Sequence, residues 1–134
     1  MFVIEETRSA WWPVRIPVPC DNGIIEHVEI EMLFEALDMP DLTKLTRDAD
    51  SIEREEISES DQFAEQLAAV VSRFTRDWKG VGTRGGAKGD VGPVPIDFNP
   101  ANLRRLVNKP GVFAAIMTAY RRMLAGVPEE RAKN

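Results

Sequence analysis

Residues 11–23 read WWPVRIPVPCDNG, and this stretch decides the first part of the fold. Apolar side chains occupy every second position from Trp12 to Val18, which is the period of a β-strand. The three prolines that follow Trp12 share the other parity, so they remove backbone donors from one side of the strand only. Asn22-Gly23 tolerates the positive φ of a tight turn. The stretch therefore predicts an edge strand that leads into a hairpin.

The residues after the turn supply the second strand. From Val28 to Glu35, apolar side chains alternate with mostly acidic ones, which predicts one apolar face. We expect a hairpin over residues 11–35 that packs against helices. The side chains expected in the core are Val14, Ile16 and Val18 on the first strand, and Val28, Ile30, Met32 and Phe34 on the second. Trp12 and Trp78 are also expected in the core, with Trp11 partly exposed.

Helical patterns follow the hairpin. Asp41 is placed to cap a short helix that ends near Arg47, and the acidic residues 48–60 are expected to be exposed. Residues 58–61 offer N-cap oxygens for a longer helix. Its stripe consists of Phe63, Leu67, Val70, Val71, Phe74 and Trp78.

Two further helices are predicted near the C-terminus. Asn99 and Pro100 suit the N-cap and the first position of a helix that stops before Pro110. A last helix covers about residues 111–125 and ends at Gly126. Between the helical regions, residues 80–92 hold six glycines and few apolar side chains, which is typical of a flexible loop.

These patterns predict one α+β domain, mostly helical, in which an N-terminal β-hairpin packs against about four helices. The length of 134 residues and the 43% hydrophobic content suit a single globular domain. The expected segments of residues 1–134 are a hairpin at 11–35, a helical region at 41–79, a flexible Gly- and Pro-rich loop at 80–98, a helical region at 99–126 and a frayed tail at 127–134.

The composition of the chain argues against several classes of protein and of site. The longest apolar runs span a few residues, against roughly 20 for a transmembrane helix, so no membrane span is expected. The opening MFVIEETRSA lacks the basic and apolar regions of a signal peptide, which favours a cytoplasmic protein. With Cys20 and His27 as the only residues of their types, an intrachain disulfide and a structural zinc site are excluded. We expect no metal and no cofactor.

Charge is divided unevenly along the chain. Residues 1–67 hold 5 basic and 17 acidic side chains, a net charge of −12, whereas residues 68–134 hold 12 basic and 5 acidic ones, a net charge of +7. Such opposition can drive head-to-tail self-association into open or ring-like homo-oligomers. The alternative is that these charges are ordinary solvated faces.

Two features suggest enzymatic chemistry only weakly. Gly80–Gly85 matches the spacing G-x-G-x-x-G, but it is expected to follow a helix and to open none, unlike a dinucleotide-binding loop. Glu29, Glu31 and Glu35 share one strand face, which a solvated sheet surface explains as well as acid–base catalysis does. The sequence therefore predicts a non-enzymatic protein.

Paired arginines mark the last two predicted helices. Arg104-Arg105 and Arg121-Arg122 could contact phosphate or the acidic half of a second copy. The sequence pI of about 5.0 and the lack of a helix-turn-helix or RNA-binding motif disfavour nucleic acid. A small DNA-binding regulator is nevertheless the alternative function.

The second half of the chain carries a series of short motifs in a fixed order. They are Trp78-Lys79-Gly80-Val81, Pro93-Val94-Pro95, Phe98-Asn99-Pro100-Ala101-Asn102-Leu103 and Pro110-Gly111-Val112-Phe113-Ala114-Ala115-Ile116 followed by Tyr120. In this order, over about residues 57–126, the chain resembles the tail assembly chaperones of long-tailed bacteriophages and prophages. It differs from them in a longer, glycine-rich loop and in Ile96-Asp97 before Phe98.

The resemblance implies a non-enzymatic protein of the bacterial host cytoplasm that is absent from the mature virion. It implies binding to the tape measure protein, which is thereby kept soluble, and recruitment of tail tube protein. A groove for a helical partner needs exposed apolar side chains. We expect it among Phe113, Met117, Tyr120 and Met123, where adaptable methionines suit varied partner segments. The alternative is that all four belong to the core.

Overall fold

The computed structural model describes residues 1–54, 62–84 and 92–129, and these form an α+β domain with more helix than strand. The elements in chain order are β1 (Ser9–Pro19), β2 (Ile25–Glu35), α1 (Met39–Arg54), α2 (Gln62–Ser72), β3 (Thr75–Lys79), β4 (Gly82–Thr83), β5 (Val94–Pro95), α3 (Pro100–Val107) and α4 (Val112–Ala125). The predicted fold class, a hairpin packed on a small set of helices, is confirmed. No helix in the described part of the chain has both the length and the apolar character needed to cross a membrane.

The hairpin forms as the proline pattern predicts. β1 and β2 pair antiparallel along their whole length, from Ser9 opposite Glu35 to Pro19 opposite Ile25. β3 pairs with the other side of β2, so the strand order is β1-β2-β3 and β1 lies at an edge. Because the prolines share one parity, the residues between them keep the ladder to β2 intact.

The turn also has the expected geometry, although the core ends before it. Asn22 and Gly23 adopt φ angles of 64° and 75°, and the turn between the strands is a short 3₁₀ segment. Val14 is fully buried, whereas Val28 is 51% exposed. The prediction of a core position for Val28 is therefore wrong, because this end of the hairpin extends beyond the helices that cover the rest of it.

Residues 73–79 are the main correction to the predicted secondary structure. The helix expected to reach Trp78 ends at Ser72, and Thr75–Lys79 form β3, so residues 41–79 are not wholly helical. Phe74 and Trp78 are four residues apart, and this separation places two side chains on one face in a helix and in a strand alike. Both side chains are buried, as the pattern indicated, but β2 offered an open edge that only a strand could pair with.

The first helix is longer than its sequence pattern suggested. α1 continues to Arg54, and Ala49 and Ile52 are buried beside Leu45, so the expectation of exposure across residues 48–60 is wrong in its described part. These three side chains recur at helical spacing, but their acidic neighbours make the apolar stripe hard to recognise in the sequence. The N-cap candidates at residues 58–61 lie outside the described residues.

The last two helices agree with prediction. Asn99 caps α3 by accepting a hydrogen bond from the backbone N–H of Asn102 at 2.8 Å, and Pro100 is its first residue. α4 ends in a Schellman motif, in which Gly126 has a φ of 72° and Val127 N–H donates to the Arg122 carbonyl. Residue 127 is thus held by the helix end, while 130–134 of the predicted frayed tail lie outside the described residues.

The segment predicted as a flexible loop at 80–98 contains ordered elements at both ends. β4 and β5 pair antiparallel, and Trp78 Nε1 donates to the Ile96 carbonyl at 2.9 Å. Gly82 allows this pairing, since a Cβ there would lie 2.8 Å from the Val94 carbonyl oxygen. Residues 85–91 of the predicted loop lie outside the described residues.

Tyr120 lies at the centre of the core. Its hydroxyl donates to the Glu35 carbonyl at 2.8 Å and accepts from Leu37 N–H at 3.1 Å. Its ring stacks on Phe74 with centroids 3.9 Å apart and meets Phe34 edge-on. One side chain of α4 thereby joins the end of β2, the segment just before α1 and the connection between α2 and β3.

We predict that Tyr120→Phe lowers the free energy of unfolding by about 1–3 kcal/mol, because the Leu37 N–H and the Glu35 carbonyl lose a shared partner. Urea unfolding at neutral pH measures this change. A loss below a few tenths of a kcal/mol would show that solvent replaces the hydroxyl.

The stability of the same variant should also depend differently on alkaline pH. Burial, and secondarily the Glu35 carboxylate, raise the pKa of Tyr120 above 10.0, against the lowering effect of the Leu37 hydrogen bond. The folded protein therefore keeps this proton while the unfolded chain releases it, so stability is lost as pH rises through the folded pKa. Tyr120→Phe removes that loss. Because Tyr120 is the only tyrosine, tyrosinate absorbance of the unaltered protein reports the ionisation of this side chain directly.

Candidate functional site

The side chains expected to form a partner groove on α4 are instead mostly core. Phe113 is 7% exposed, Met117 2% and Tyr120 0%, whereas Met123 is half-buried and packs at the edge of the core. The expectation of an exposed groove at these residues is therefore wrong. α4 packs against β1, α2 and α3 at once, and a helix that is covered on several sides is apolar around most of its circumference.

The four arginines lie in separate surroundings. Arg104 lines a groove between α2 and α3, and Arg122 lines a cleft between α4 and the hairpin. Arg105 donates to Asn102 Oδ1 and Thr83 Oγ1, each at 3.1 Å, and Arg121 is exposed. The structure therefore does not gather them into one cleft, as a single phosphate site would require.

The groove between α2 and α3 is a mainly apolar concave surface, and we call it the α2–α3 groove. Its floor is formed by Ala68 and Leu103, which are 6% and 2% exposed. The half-buried Phe98 forms one end, and Ala69 lies exposed along the α2 side. The small side chains of α2 leave this space open, because alanine does not fill the gap that separates two packed helices.

Hydrogen bonds and ring packing fix the α3 side of the groove. The Trp78 ring meets Phe98 edge-on with centroids 5.2 Å apart, and Trp78 Nε1 holds the neighbouring Ile96 carbonyl. Asn102 Nδ2 donates to the Asp97 carbonyl at 2.8 Å, next to the Asn99 cap. The chain entering α3 is therefore tied to the sheet on one side and to its own helix on the other.

The size and lining of the α2–α3 groove determine what it can accept. Its volume is about 250 Å³, below the range of about 300–1,000 Å³ typical of cofactor and small-ligand pockets. Glu65 on α2 and Arg104 on α3 provide opposite charges on its two walls. An apolar side chain or two from a docked peptide would fit there, and the charges would favour one orientation.

The residues considered for catalysis occupy positions that the fold explains. The glycine motif begins directly after β3, not after a helix as expected, and Gly80 has a φ of 88° beside Ile30. Glu35 pairs with Arg76 at the sheet edge. Among the described residues no group of three or more His, Cys, Asp or Glu side chains could hold a metal ion.

Cys20 and His27 also occupy different places on the hairpin. Cys20 lies in the turn region, where its Sγ donates to the Val18 carbonyl at 3.6 Å. His27 is on β2 opposite Pro17 and lines the cleft beside α4.

The sequence singled out Arg104 for contact with phosphate or with a second copy, and it gave no indication of the α2–α3 groove. The available signal was the Ala68-Ala69 pair inside an otherwise large-residue stripe. That signal was weak on its own, because the pattern gave no indication of which helix would face α2.

Comparison with known proteins adds no relative. No family model matches the chain, and neither the curated proteins nor the solved structures contain a match.

We predict that Trp78→Phe lowers the free energy of unfolding by about 1–2 kcal/mol, because the indole N–H bond to the Ile96 carbonyl is lost. Hydrogen exchange at residues 94–98 should accelerate as this segment loosens. The matched control is Trp11→Phe, since Trp11 is half-exposed and its ring contacts Lys79 at the surface. Equal losses in the two variants would contradict a specific anchoring role for Trp78.

Proposed function

We propose that this chain is a tail assembly chaperone of a long-tailed bacteriophage or prophage. In this proposal it acts without catalysis in the host cytoplasm, binds the tape measure protein, keeps it soluble and aids recruitment of tail tube protein. It then leaves before the virion is complete. The α2–α3 groove is the observation that supports this proposal most directly, because it offers an apolar binding surface next to the motif residues that carry the family resemblance.

The binding mode follows from the dimensions and charges of the groove. An amphipathic helix of the tape measure protein would insert one or two apolar side chains above Ala68 and Leu103. Basic and acidic residues on its flanks would meet Glu65 and Arg104. Such a shallow contact suits a chaperone, since a partner that must later be released to tail tube protein should not be held deeply.

The motif residues support the same proposal because they build the fold that forms the groove. Trp78, Phe98 and Asn99 shape the α3 side of the groove, while Tyr120 holds α4 in the core. Gly111 has a φ of 84° and lies against Pro17, where a Cβ would be 3.4 Å from its Cγ. Each of these residues thus has a structural reason for its place in the ordered motifs.

The alternative, a small DNA-binding regulator, has less support. Duplex DNA binding would need several basic side chains on one surface, whereas Arg104 and Arg122 line different clefts and Arg105 is engaged by Thr83 and Asn102.

Self-association of the acidic and basic halves stays a prediction, which sedimentation at low and moderate salt tests.

Ala69→Trp is expected to fill the α2–α3 groove without changing the fold, because Ala69 is exposed. In co-expression with the tape measure protein encoded by the same phage or prophage, the unaltered chain should keep that protein soluble and copurify with it. Ala69→Trp should reduce copurification about ten-fold or more, corresponding to about 1.4 kcal/mol or more of binding free energy.

Gln66→Trp is the matched control, since Gln66 is an exposed residue of the same helix outside the groove lining. It should leave copurification unchanged. Equal loss in both variants would contradict the groove as the binding site. No rescue of solubility and no complex, together with salt-dependent binding to duplex DNA that Arg104 and Arg105 variants abolish, would instead favour the regulator.

A further inference from the structure

The hydrogen-bond pattern of the three-stranded sheet shows which backbone groups face its two edges. Among the described residues, the order β1-β2-β3 places β1 at one edge and β3 at the other. The Glu35 N–H donates to the Phe74 carbonyl at 2.8 Å, on the β3 side. The Ala36 N–H donates to the Arg8 carbonyl at 2.8 Å, on the β1 side. Because the bonds of an antiparallel ladder alternate, odd-numbered residues of β2 face β3 and even-numbered ones face β1.

Prolines remove most donors from the edge formed by β1. Pro13, Pro17 and Pro19 lie opposite odd-numbered residues of β2, so their nitrogen atoms face away from the sheet. From Pro13 to Pro19, Arg15 is the one outward-facing residue that keeps a backbone N–H. An extended chain would therefore find little to pair with along this edge.

The edge formed by β3 contains no proline, and a side chain closes it instead. Trp78 lies opposite Met32, an even-numbered residue, so the Trp78 N–H faces away from β2. This N–H donates to Oδ1 of Asp77 at 2.8 Å. The carboxylate thus stands where the carbonyl oxygen of a neighbouring strand would accept the same bond.

Arg76 occupies the acceptor groups of the same edge. The register of β3 against β2 shifts by one residue there, so Arg76 has no residue opposite it on β2. Its guanidinium donates to the carbonyls of Ser72, Arg73 and Thr75 at 3.0, 3.2 and 3.3 Å. Bulges and charged side chains are two of the features by which sheets prevent their edges from pairing.

The space beside the β3 edge is open. A cleft of about 380 Å³ lies there, between residues 77–81 and residues 95–98. Asp77 is exposed and lines this cleft. An extended chain segment could therefore reach the edge, and the occupied hydrogen-bonding groups are what oppose its addition.

We propose that Asp77, together with Arg76, caps the free edge of β3 and keeps a second copy of this chain from adding a strand to the sheet. A second copy is the relevant competitor, because its own β3 carries the same groups and two such edges can pair symmetrically about a two-fold axis. An incoming strand must displace the Asp77 carboxylate from the Trp78 N–H before it can pair. This inference does not depend on the proposed chaperone function, since it concerns the sheet edge and involves no other protein.

The test compares Asp77→Ala with Asp77→Asn in the full chain. Both variants remove one negative charge, but asparagine keeps an Oδ1 acceptor for the Trp78 N–H. In dilute protein, amide exchange followed by NMR should be about five-fold or more faster at the Trp78 N–H of Asp77→Ala, corresponding to about 1 kcal/mol for the lost bond. Asp77→Asn should stay within about two-fold of the unaltered protein.

Sedimentation over a range of protein concentrations then tests the role of the cap. Asp77→Ala should associate more than the unaltered protein does, and association should protect its Trp78 N–H from exchange again. Asp77→Asn should sediment like the unaltered protein. The proposal is overturned if Asp77→Ala associates no more than the unaltered protein, if Asp77→Asn associates equally, which would assign the effect to charge, or if association leaves the Trp78 N–H unprotected.

Discussion

The Tyr120 side chain holds together elements that are far apart in the sequence. Its hydroxyl satisfies one acceptor at the end of β2 and one donor at Leu37, just before α1, while its ring covers Phe74. Such buried backbone groups would otherwise be unpaired where a strand ends and a helix has not begun. With α4 fixed in this way, the helix packs against β1, α2 and α3, and its remaining side, which carries Ala114, Thr118 and Arg121, stays exposed.

The enclosure of α4 explains where the fold could be predicted from sequence and where it could not. The caps and stops of α3 and α4 follow from local chemistry at Asn99 and Gly126, so their ends agree with prediction. Phe74 and Trp78 depend on a partner that is remote in sequence. Only the free edge of β2 distinguishes a strand from a helix there, and a four-residue spacing carries no information about that edge.

The candidate sites were harder to predict than the fold for a related reason. The sequence motifs contain side chains that make specific buried hydrogen bonds, such as the Trp78 indole and the Tyr120 hydroxyl. The α2–α3 groove is instead bordered by alanines, as at Ala68 and Ala69, which leave space and produce no pattern. An apolar helix such as α4 attracts attention in the sequence, yet its Met117 is buried because three elements cover it.

The charge division along the sequence does not become an equally clear division in space. Asp48 pairs with Arg73 at 2.7 Å and Glu35 pairs with Arg76, so acidic residues of the first half already meet basic residues of the second within one chain. These contacts are surface pairs of modest strength, but they neutralise charges that head-to-tail association would otherwise use. Arg15 of the acidic half lies opposite Glu29 in the β1–β2 ladder, so the hairpin also sets a basic side chain beside an acidic one. The net charges of the two halves of the sequence therefore overstate the contrast in charge between surfaces of the folded chain.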